Sequence, residues 1–201
     1  MTLIFLRHGE SEGNVDRVIQ GWLELPLTDR GFVQAAAAAR RLASAGVVAL
    51  YASPLLRARQ TADIVGAATG LPVIELPDLR EYGFGEAQGL LWEDAAARWG
   101  LLDRDWGVGS VPGEEGMEVF RTRVRRQFDE LHVRHEASTA IVVIHGGVFG
   151  ALVGSLCGLP AHEHVQMYTA NCGIMVVTHE RGQPVIVALN DRCHLREERV
   201  A

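Results

Sequence analysis

The chain has 201 residues, of which 48% are hydrophobic and 22% charged, the composition of an ordinary globular protein that can bury one large core. Its net charge of −6 supplies no basic surface for nucleic acid or an anionic membrane, so neither is expected as a partner. No stretch approaches the ~20 apolar residues that cross a bilayer, and the first apolar run, Leu3–Leu6, is too short for a signal-peptide core.

The three cysteines, Cys157, Cys172 and Cys193, are odd in number and form no CxxC pair. This usage argues against a disulfide framework and against a thiolate zinc site. We therefore expect one domain over residues 1–201, located in the cytoplasm.

In chain order, the predicted elements alternate between strands and helices. The predicted strands are Leu3–Leu6, Val47–Tyr51 and Ala140–Ile144, short apolar runs whose lack of polar alternation indicates burial on both faces of a largely parallel sheet. The predicted helices are Gly31–Ser44, Pro54–Thr69, Trp92–Trp99, Glu115–His135 and Val148–Leu156. Near the end, Gly173–Thr178 and Pro184–Leu189 have the spacing of a hairpin with a glycine in its turn. The pattern predicts an α/β fold, a three-layer α/β/α sandwich around a mostly parallel mixed sheet.

Three local features refine this prediction. Ser53-Pro54 is a good helix start, because serine caps free amides and proline suits the first helical position, and it places Arg57 in the first turn. Residues 77–118 are rich in glycine and form a predicted insertion, or lid, over the sheet edge. A basic cluster on the helix after this insertion is interpreted as a solvated or substrate-facing side. Its members are Arg121, Arg123, Arg125 and Arg126.

Groups suited to phosphate chemistry follow the predicted strands. Arg7-His8-Gly9 ends the first strand and His145-Gly146-Gly147 ends the third, and in open α/β sheets ligands bind at such carboxyl ends. The Arg57 guanidinium can fork across two phosphate oxygens, and the helix that begins beyond His145 favours an anion at its amino terminus. Glu81, at the start of the insertion, is a candidate proton donor to a leaving group.

In this order, these motifs make the sequence resemble the histidine phosphatase superfamily, which includes cofactor-dependent phosphoglycerate mutases and broad-specificity phosphatases. The segments that carry the resemblance are Leu6–Ser11 with Asn14, Gln20–Trp22, Pro26–Thr28 with Gly31, Ser53–Ala62, Glu81 with Phe84-Gly85 and Gly89, and His145–Gly147. The resemblance implies a phosphoglycerate mutase-like fold, a nucleophilic His8, phosphoryl contacts from Arg7, Arg57 and His145, and Glu81 as the acid.

Several assignments stay open on the residues alone. Glu86 competes with Glu81 for the role of the acid. Asn14, Gln20, Gly21 and Gly146 are candidates for the substrate pocket, although a polar loop holding itself together is nearly as good an interpretation of the first three. Trp92, Trp99, Trp106 and Phe84 are candidates for an apolar wall or, more simply, for core. His162 and His164 suggest a metal, but no third ligand is indicated, and neither a metal nor another cofactor is expected.

The predicted function is hydrolysis of small phosphomonoesters through a phosphohistidine on His8. Because the residues between Trp92 and Glu118 carry six acidic side chains against Arg98 and Arg104, their charge disfavours a multiply anionic substrate and hence a phosphoglycerate mutase. The alternatives are that mutase and a catalytically silent module that binds a phosphorylated ligand. The expected partner is a small phosphorylated metabolite, and the exposed edge of the terminal hairpin offers a surface for a homodimer.

Overall fold

The computed structural model describes residues 1–101, 109–160 and 167–195. Its strands are β1 (Thr2–Arg7), β2 (Ala49–Ala52), β3 (Val73–Glu75), β4 (Thr139–Ile144), β5 (Ile174–Glu180) and β6 (Gln183–Asp191). They form one sheet in the order β3-β2-β4-β1-β5-β6. The first four strands are parallel and the last two run antiparallel to their neighbours, which confirms the mostly parallel mixed sheet.

Helices cover both faces of this sheet. They are α1 (Glu12–Val15), α2 (Asp29–Leu42), α3 (Leu56–Thr69), α4 (Trp92–Trp99), α5 (Met117–Arg134) and α6 (Gly146–Leu156). One apolar cluster joins the sheet to α5 and α6, and a second joins its other face to α2 and α3. The predicted three-layer α/β/α sandwich is therefore confirmed.

Strand β1 shows how the sequence fixes this arrangement. Leu3 and Phe5 contact the cluster with α5 and α6, whereas Ile4 and Leu6 contact the cluster with α2 and α3. Successive side chains of a strand point to opposite faces, so an unbroken apolar run suits a strand covered on both sides. Burying such a side chain contributes roughly 1.5–3 kcal/mol, which holds the carboxyl end of β1 at the centre of the sheet.

Most predicted boundaries lie within two residues of those observed, and the hairpin of β5 and β6 turns at Gly182, as predicted. The predicted start of α3 is wrong. The helix begins at Leu56, and Leu55, not Ser53, occupies the cap position with an extended backbone. The Ser53 hydroxyl instead lies 2.7 Å from the His145 ring, so a tertiary contact competes with the cap. Arg57 nevertheless lies in the first turn, as expected.

The sequence analysis missed β3, a strand of three mostly exposed residues that pairs in parallel with β2 at the sheet edge. Its length and exposure give it no apolar periodicity. Residues 77–101 and 109–118 contain two short 3₁₀ turns, Pro77–Leu79 and Gly85–Ala87, together with α4. They share a small apolar cluster with Ile19. Their role as a lid, and the single domain over residues 1–201, stay predictions.

The interpretation of the basic cluster on α5 is wrong for two of its four members. Arg121 is buried and donates to the carbonyls of Leu159 and Pro160. Arg123 is nearly buried against Glu115, whereas Arg125 and Arg126 form more exposed ion pairs on the outer side of the helix. Among the residues that the structure describes, no helix is long and apolar enough to span a membrane.

Candidate active site

The two predicted histidines meet because their strands are parallel neighbours. β1 pairs with β4 in a register that matches Arg7 with Ile144, so His8 and His145 follow at the same edge of the sheet. The His8 amide donates to the Ile144 carbonyl at 2.9 Å, and the centres of the two imidazole rings are 5.2 Å apart. Both side chains are buried.

The orientation of His8 is set by its own backbone neighbour. Its Nδ1 lies 2.7 Å from the Gly9 carbonyl oxygen, which can only accept, so Nδ1 carries the proton and Nε2 keeps its lone pair. Burial, and then the positive charges of Arg57 and Arg7, lower the pKa of His8 well below its usual value of 6.5. The ring is therefore neutral at physiological pH, with a free lone pair on Nε2, as a nucleophile requires.

Arg57, which is buried, and Arg7, which is partly buried, bring two cations to the same place. Arg57 donates from Nη1 to the Leu23 carbonyl at 3.0 Å and from Nη2 to the Gly21 carbonyl at 2.8 Å. Arg7 donates from Nη1 to the Thr169 carbonyl. Burial lowers the pKa of Arg57 to about 10 and also lowers that of Arg7, but both guanidinium groups stay charged at neutral pH.

His145 is held by a residue that follows the neighbouring parallel strand, β2. Its Nε2 lies 2.7 Å from the Ser53 hydroxyl, and its residue caps the amino terminus of α6. Burial, followed by the charges of Arg57 and His8, lowers the pKa of His145 well below 6.5. A neutral ring that accepts the Ser53 proton at Nε2 has its own proton on Nδ1, where it can be donated to an anion.

Glu81 lies at the start of α6. One carboxylate oxygen accepts from the Gly147 amide at 2.9 Å and the other from the Tyr82 amide at 2.9 Å. A Cβ added at Gly147 would lie 2.2 Å from a Glu81 oxygen, so the glycine makes room for the carboxylate. The competing residue, Glu86, is exposed and faces Arg98 at 3.5 Å, which favours Glu81 as the acid.

Three of these groups keep a polar atom that is buried and without a hydrogen-bond partner in the structure: Arg7 Nε, Arg57 Nε and His145 Nδ1. Such an atom costs roughly 1–3 kcal/mol when it is left unsatisfied. This edge thus collects three unpaired donors around His8. The arrangement suits an anion with several acceptor oxygens, such as a phosphoryl group.

The predicted substrate-pocket residues mostly hold the loops together. Asn14 accepts through its side-chain oxygen from Ser11 and Asn171, and Gln20 accepts from the Ser11 hydroxyl at 2.9 Å. Gly21 positions Arg57 through its carbonyl. Gly146 lies beside Arg7, where an added Cβ would lie 3.6 Å from the guanidinium carbon. Their contacts with a substrate stay predictions.

Two functional neighbours were missed by the sequence analysis: Thr169 binds Arg7, and Asn171 donates to the His8 carbonyl at 3.2 Å. A third, Arg123, was placed only in the basic cluster, and the structure shows that it donates to the Glu81 carbonyl at 2.9 Å. The first two precede β5, which runs antiparallel to β1, so its start must lie beside the end of β1. That topology is the signal that could have found Thr169 and Asn171.

In the part of the chain that the structure describes, no group of three histidine, cysteine or acidic residues could hold a metal ion. His162 and His164 lie outside the described residues, as does Trp106. Of the other aromatic candidates, Trp92 is half exposed and packs edge-on against Phe84, and Trp99 contacts the small cluster around Ile19.

A three-layer α/β fold that collects buried, unpaired donors beside a neutral histidine at one sheet edge is the arrangement expected of an enzyme that acts on phosphoryl groups. Comparison with known proteins gives the family. The model of the histidine phosphatase superfamily, branch 1, matches residues 3–192. The chain belongs to this superfamily, and its enzyme class is that of the phosphoric monoester hydrolases.

The individual relatives include proteins named as mutases and proteins named as phosphatases. A probable phosphoglycerate mutase of Photorhabdus laumondii is 34% identical over 90% of this chain and 86% of its own. A putative phosphoserine phosphatase of Hydrogenobacter thermophilus is 32% identical over 97% and 98%. The solved structure of a mycobacterial glucosyl-3-phosphoglycerate phosphatase is 27% identical, with a TM-score of 0.83 over 95% of this chain and 99% of that one.

Proposed function

We propose that the protein hydrolyses small phosphomonoesters through a phosphohistidine formed on His8. The observation that carries the proposal is the set of three buried, unpaired donors on Arg7, Arg57 and His145 around a neutral His8. A phosphoryl group supplies the oxygens that these donors lack, and its charge is spread over three equatorial oxygens in the transition state.

In the first half-reaction, the Nε2 lone pair of His8 attacks phosphorus while the bond to the ester oxygen breaks. Glu81, in its protonated form, donates its proton to that oxygen, and the alcohol leaves. In the second half, water attacks the phosphohistidine, the Glu81 carboxylate takes a proton from the water, and phosphate departs from a neutral His8. Arg7, Arg57 and His145 stabilise the charge in both steps.

The choice of hydrolysis over the isomerisation that a mutase catalyses rests on the surroundings of the site. Two of the relatives named above are called phosphatases and one a probable mutase, so the names alone leave both outcomes open. Exposed acidic residues begin α4, which disfavours the additional anionic groups of a bisphosphate cofactor. We therefore expect water, not a second alcohol, to receive the phosphoryl group.

The test follows phosphate release and isomerisation together. Purified protein is incubated with a panel of phosphomonoesters that includes 3-phosphoglycerate, with and without its bisphosphate cofactor, and is quenched to detect acid-labile phosphohistidine. We expect phosphate release that His8→Ala abolishes and that His179→Ala, a histidine outside the site, leaves intact. Isomerisation with little free phosphate would instead establish a mutase. Binding without any phosphohistidine would establish a silent module.

Individual roles are tested by single variants. Removing one preorganised donor costs on the order of 10²–10³ in turnover, so Arg57→Ala should lose that much while remaining folded. Glu81→Gln should slow the release of poor alkyl leaving groups more than that of p-nitrophenol, which departs without a proton. Equal rates for wild type and Glu81→Gln with alkyl esters would overturn the role of Glu81.

A further inference from the structure

Trp22 is held as part of the wall of the proposed active site. The residues on either side of it, Gly21 and Leu23, both accept hydrogen bonds from the Arg57 guanidinium. Its indole N–H donates to the Glu81 carbonyl at 2.7 Å, so the ring is tied to the backbone of the proposed acid. Despite these contacts, 45% of Trp22 is exposed. A fixed and exposed aromatic face thus lies next to the acid.

Arg80 places a cation on this face. Its guanidinium carbon lies 5.5 Å from the centre of the Trp22 ring. The exposed arginines Arg59 and Arg125 have carboxylate partners, but no ion pair or side-chain hydrogen bond is found for Arg80 among the described residues. The attraction between a guanidinium and an aromatic ring uses none of the hydrogen-bond acceptors that a guanidinium otherwise needs, so its N–H groups can still bind a carboxylate through two parallel hydrogen bonds.

The backbone of Arg80 is held in place as well. The Arg80 carbonyl accepts from Arg123 at 2.7 Å, and the next residue is the proposed acid. An acid must contact the ester oxygen that it protonates, so the leaving group begins at the Glu81 carboxyl group. The Arg80–Trp22 pair is tied to this same residue, through the peptide bond of Arg80 and the indole of Trp22.

We propose that Arg80, held over the Trp22 ring, forms a subsite for a carboxylate on the leaving group, so that phosphate esters of hydroxy acids are preferred over otherwise identical esters without a carboxylate. This inference rests on the proposed phosphatase function and specifies its substrate class. It also revises the charge argument drawn from residues 92–118. Glu115 is neutralised by Arg123, and Arg80 lies outside that segment, so the leaving group meets an unpaired positive charge.

A matched pair of substrates isolates the carboxylate. 3-Phosphoglycerate and glycerol 3-phosphate share a carbon skeleton and differ in a carboxylate against a hydroxymethyl group. In wild-type protein we expect kcat/KM to favour 3-phosphoglycerate, and Arg80→Gln should reduce this preference by about tenfold, the lower end of what a charged hydrogen bond contributes. Arg80→Lys keeps the charge but loses the planar fork, so its preference for 3-phosphoglycerate should lie between those of the wild type and Arg80→Gln.

The matched control is Arg98→Gln. Arg98 also lies over a tryptophan, with its guanidinium carbon 4.7 Å from the centre of Trp99, but it is paired with Glu86 and lies away from Glu81. This variant should keep the wild-type preference. An unchanged preference in Arg80→Gln, or an equal change in Arg98→Gln, would overturn the subsite.

A binding experiment separates failure of the subsite from failure of the proposed function. In a His8→Ala background, which cannot form the phosphohistidine, calorimetry measures the affinity for both compounds without turnover. Adding Arg80→Gln should weaken 3-phosphoglycerate about tenfold more than glycerol 3-phosphate. If the wild-type protein releases phosphate from neither compound but this difference persists, the function fails and the subsite stands. If turnover is normal and the difference is absent, the subsite alone is refuted.

Discussion

Arg123 gives the sharpest test of how the fold positions its proposed acid. Its guanidinium contacts both oxygens of Glu115 and donates to the carbonyls of Asp78, Arg80 and Glu81. Arg123→Met leaves the Glu115 charge nearly buried and unpaired and leaves three carbonyls without their donor. Breaking a buried ion pair in this way costs about 3–5 kcal/mol.

The control comes from the same helix. Arg126 forms an ion pair with Asp78, but its side chain is 61% exposed, and exposed pairs contribute less than about 1 kcal/mol. Urea unfolding at fixed pH should therefore separate Arg123→Met from Arg126→Met by at least 2 kcal/mol, roughly the difference between these two costs. Replacing both partners, as Arg123→Met with Glu115→Leu, should recover part of the loss because no buried charge remains.

The same substitution should alter catalysis in the variants that stay folded. The Arg80–Glu81 segment loses two of its backbone anchors, and a displacement of about 1 Å in a reacting group can cost ~10²-fold in rate. We expect kcat of Arg123→Met to fall far more than its KM changes, with the largest loss for substrates that need protonation of the leaving group. Equal stability and equal kcat in Arg123→Met and Arg126→Met would refute the assignment of Arg123 as a positioning residue.

Three further predictions concern the histidines and the acid. Ser53→Ala removes the hydroxyl that fixes the His145 ring, so we expect kcat/KM to fall at least tenfold. Ser53→Thr should partly restore it, and steady-state kinetics of the two variants checks both expectations. Gly147→Ala places a Cβ 2.2 Å from a Glu81 oxygen, so it should slow alkyl phosphomonoesters more than p-nitrophenyl phosphate, and equal slowing would contradict the contact. Because the pKa values of His8 and His145 are lowered in the folded state, the unfolded chain binds protons below pH 6.5 that the folded chain does not. Each group then lowers the free energy of unfolding by up to about 1.4 kcal/mol per pH unit as the pH falls, so urea unfolding of His8→Gln should show a shallower decline than wild type between pH 7 and pH 5.

The parts of the fold and site that could be predicted are those with a local signal. Leu3–Leu6 and Ala140–Ile144 are buried strands with no polar interruption, so the residues that follow them, His8 and His145, had to lie at a sheet edge. Arg57 could be placed because a helix start is visible in the sequence even when its first residue is misjudged. In each case the information lies within a few residues of the group concerned.

The rest depends on partners distant in the sequence. Ser53 is a good helix cap by its neighbours, and only the fold reveals that its hydroxyl serves His145, 92 positions away. Arg123 and Arg126 differ by less than one helical turn, and nothing local distinguishes the buried ion pair from the exposed one. The burial of Arg123 results from the loop that carries Glu81. This loop packs against α5 through its backbone carbonyls, and a helical periodicity in the sequence does not reveal such contacts.

The position of Glu81 also explains how Arg7 and Arg57 remain available to a substrate. Its charge acts on both Arg7 and Arg57, and a direct ion pair would satisfy their unpaired donors and fill the site. Both of its carboxylate oxygens are instead taken by the backbone amides of Tyr82 and Gly147. No ion pair joins Glu81 to either arginine among the described residues, so the fold keeps the proposed acid close to the cations without neutralising them.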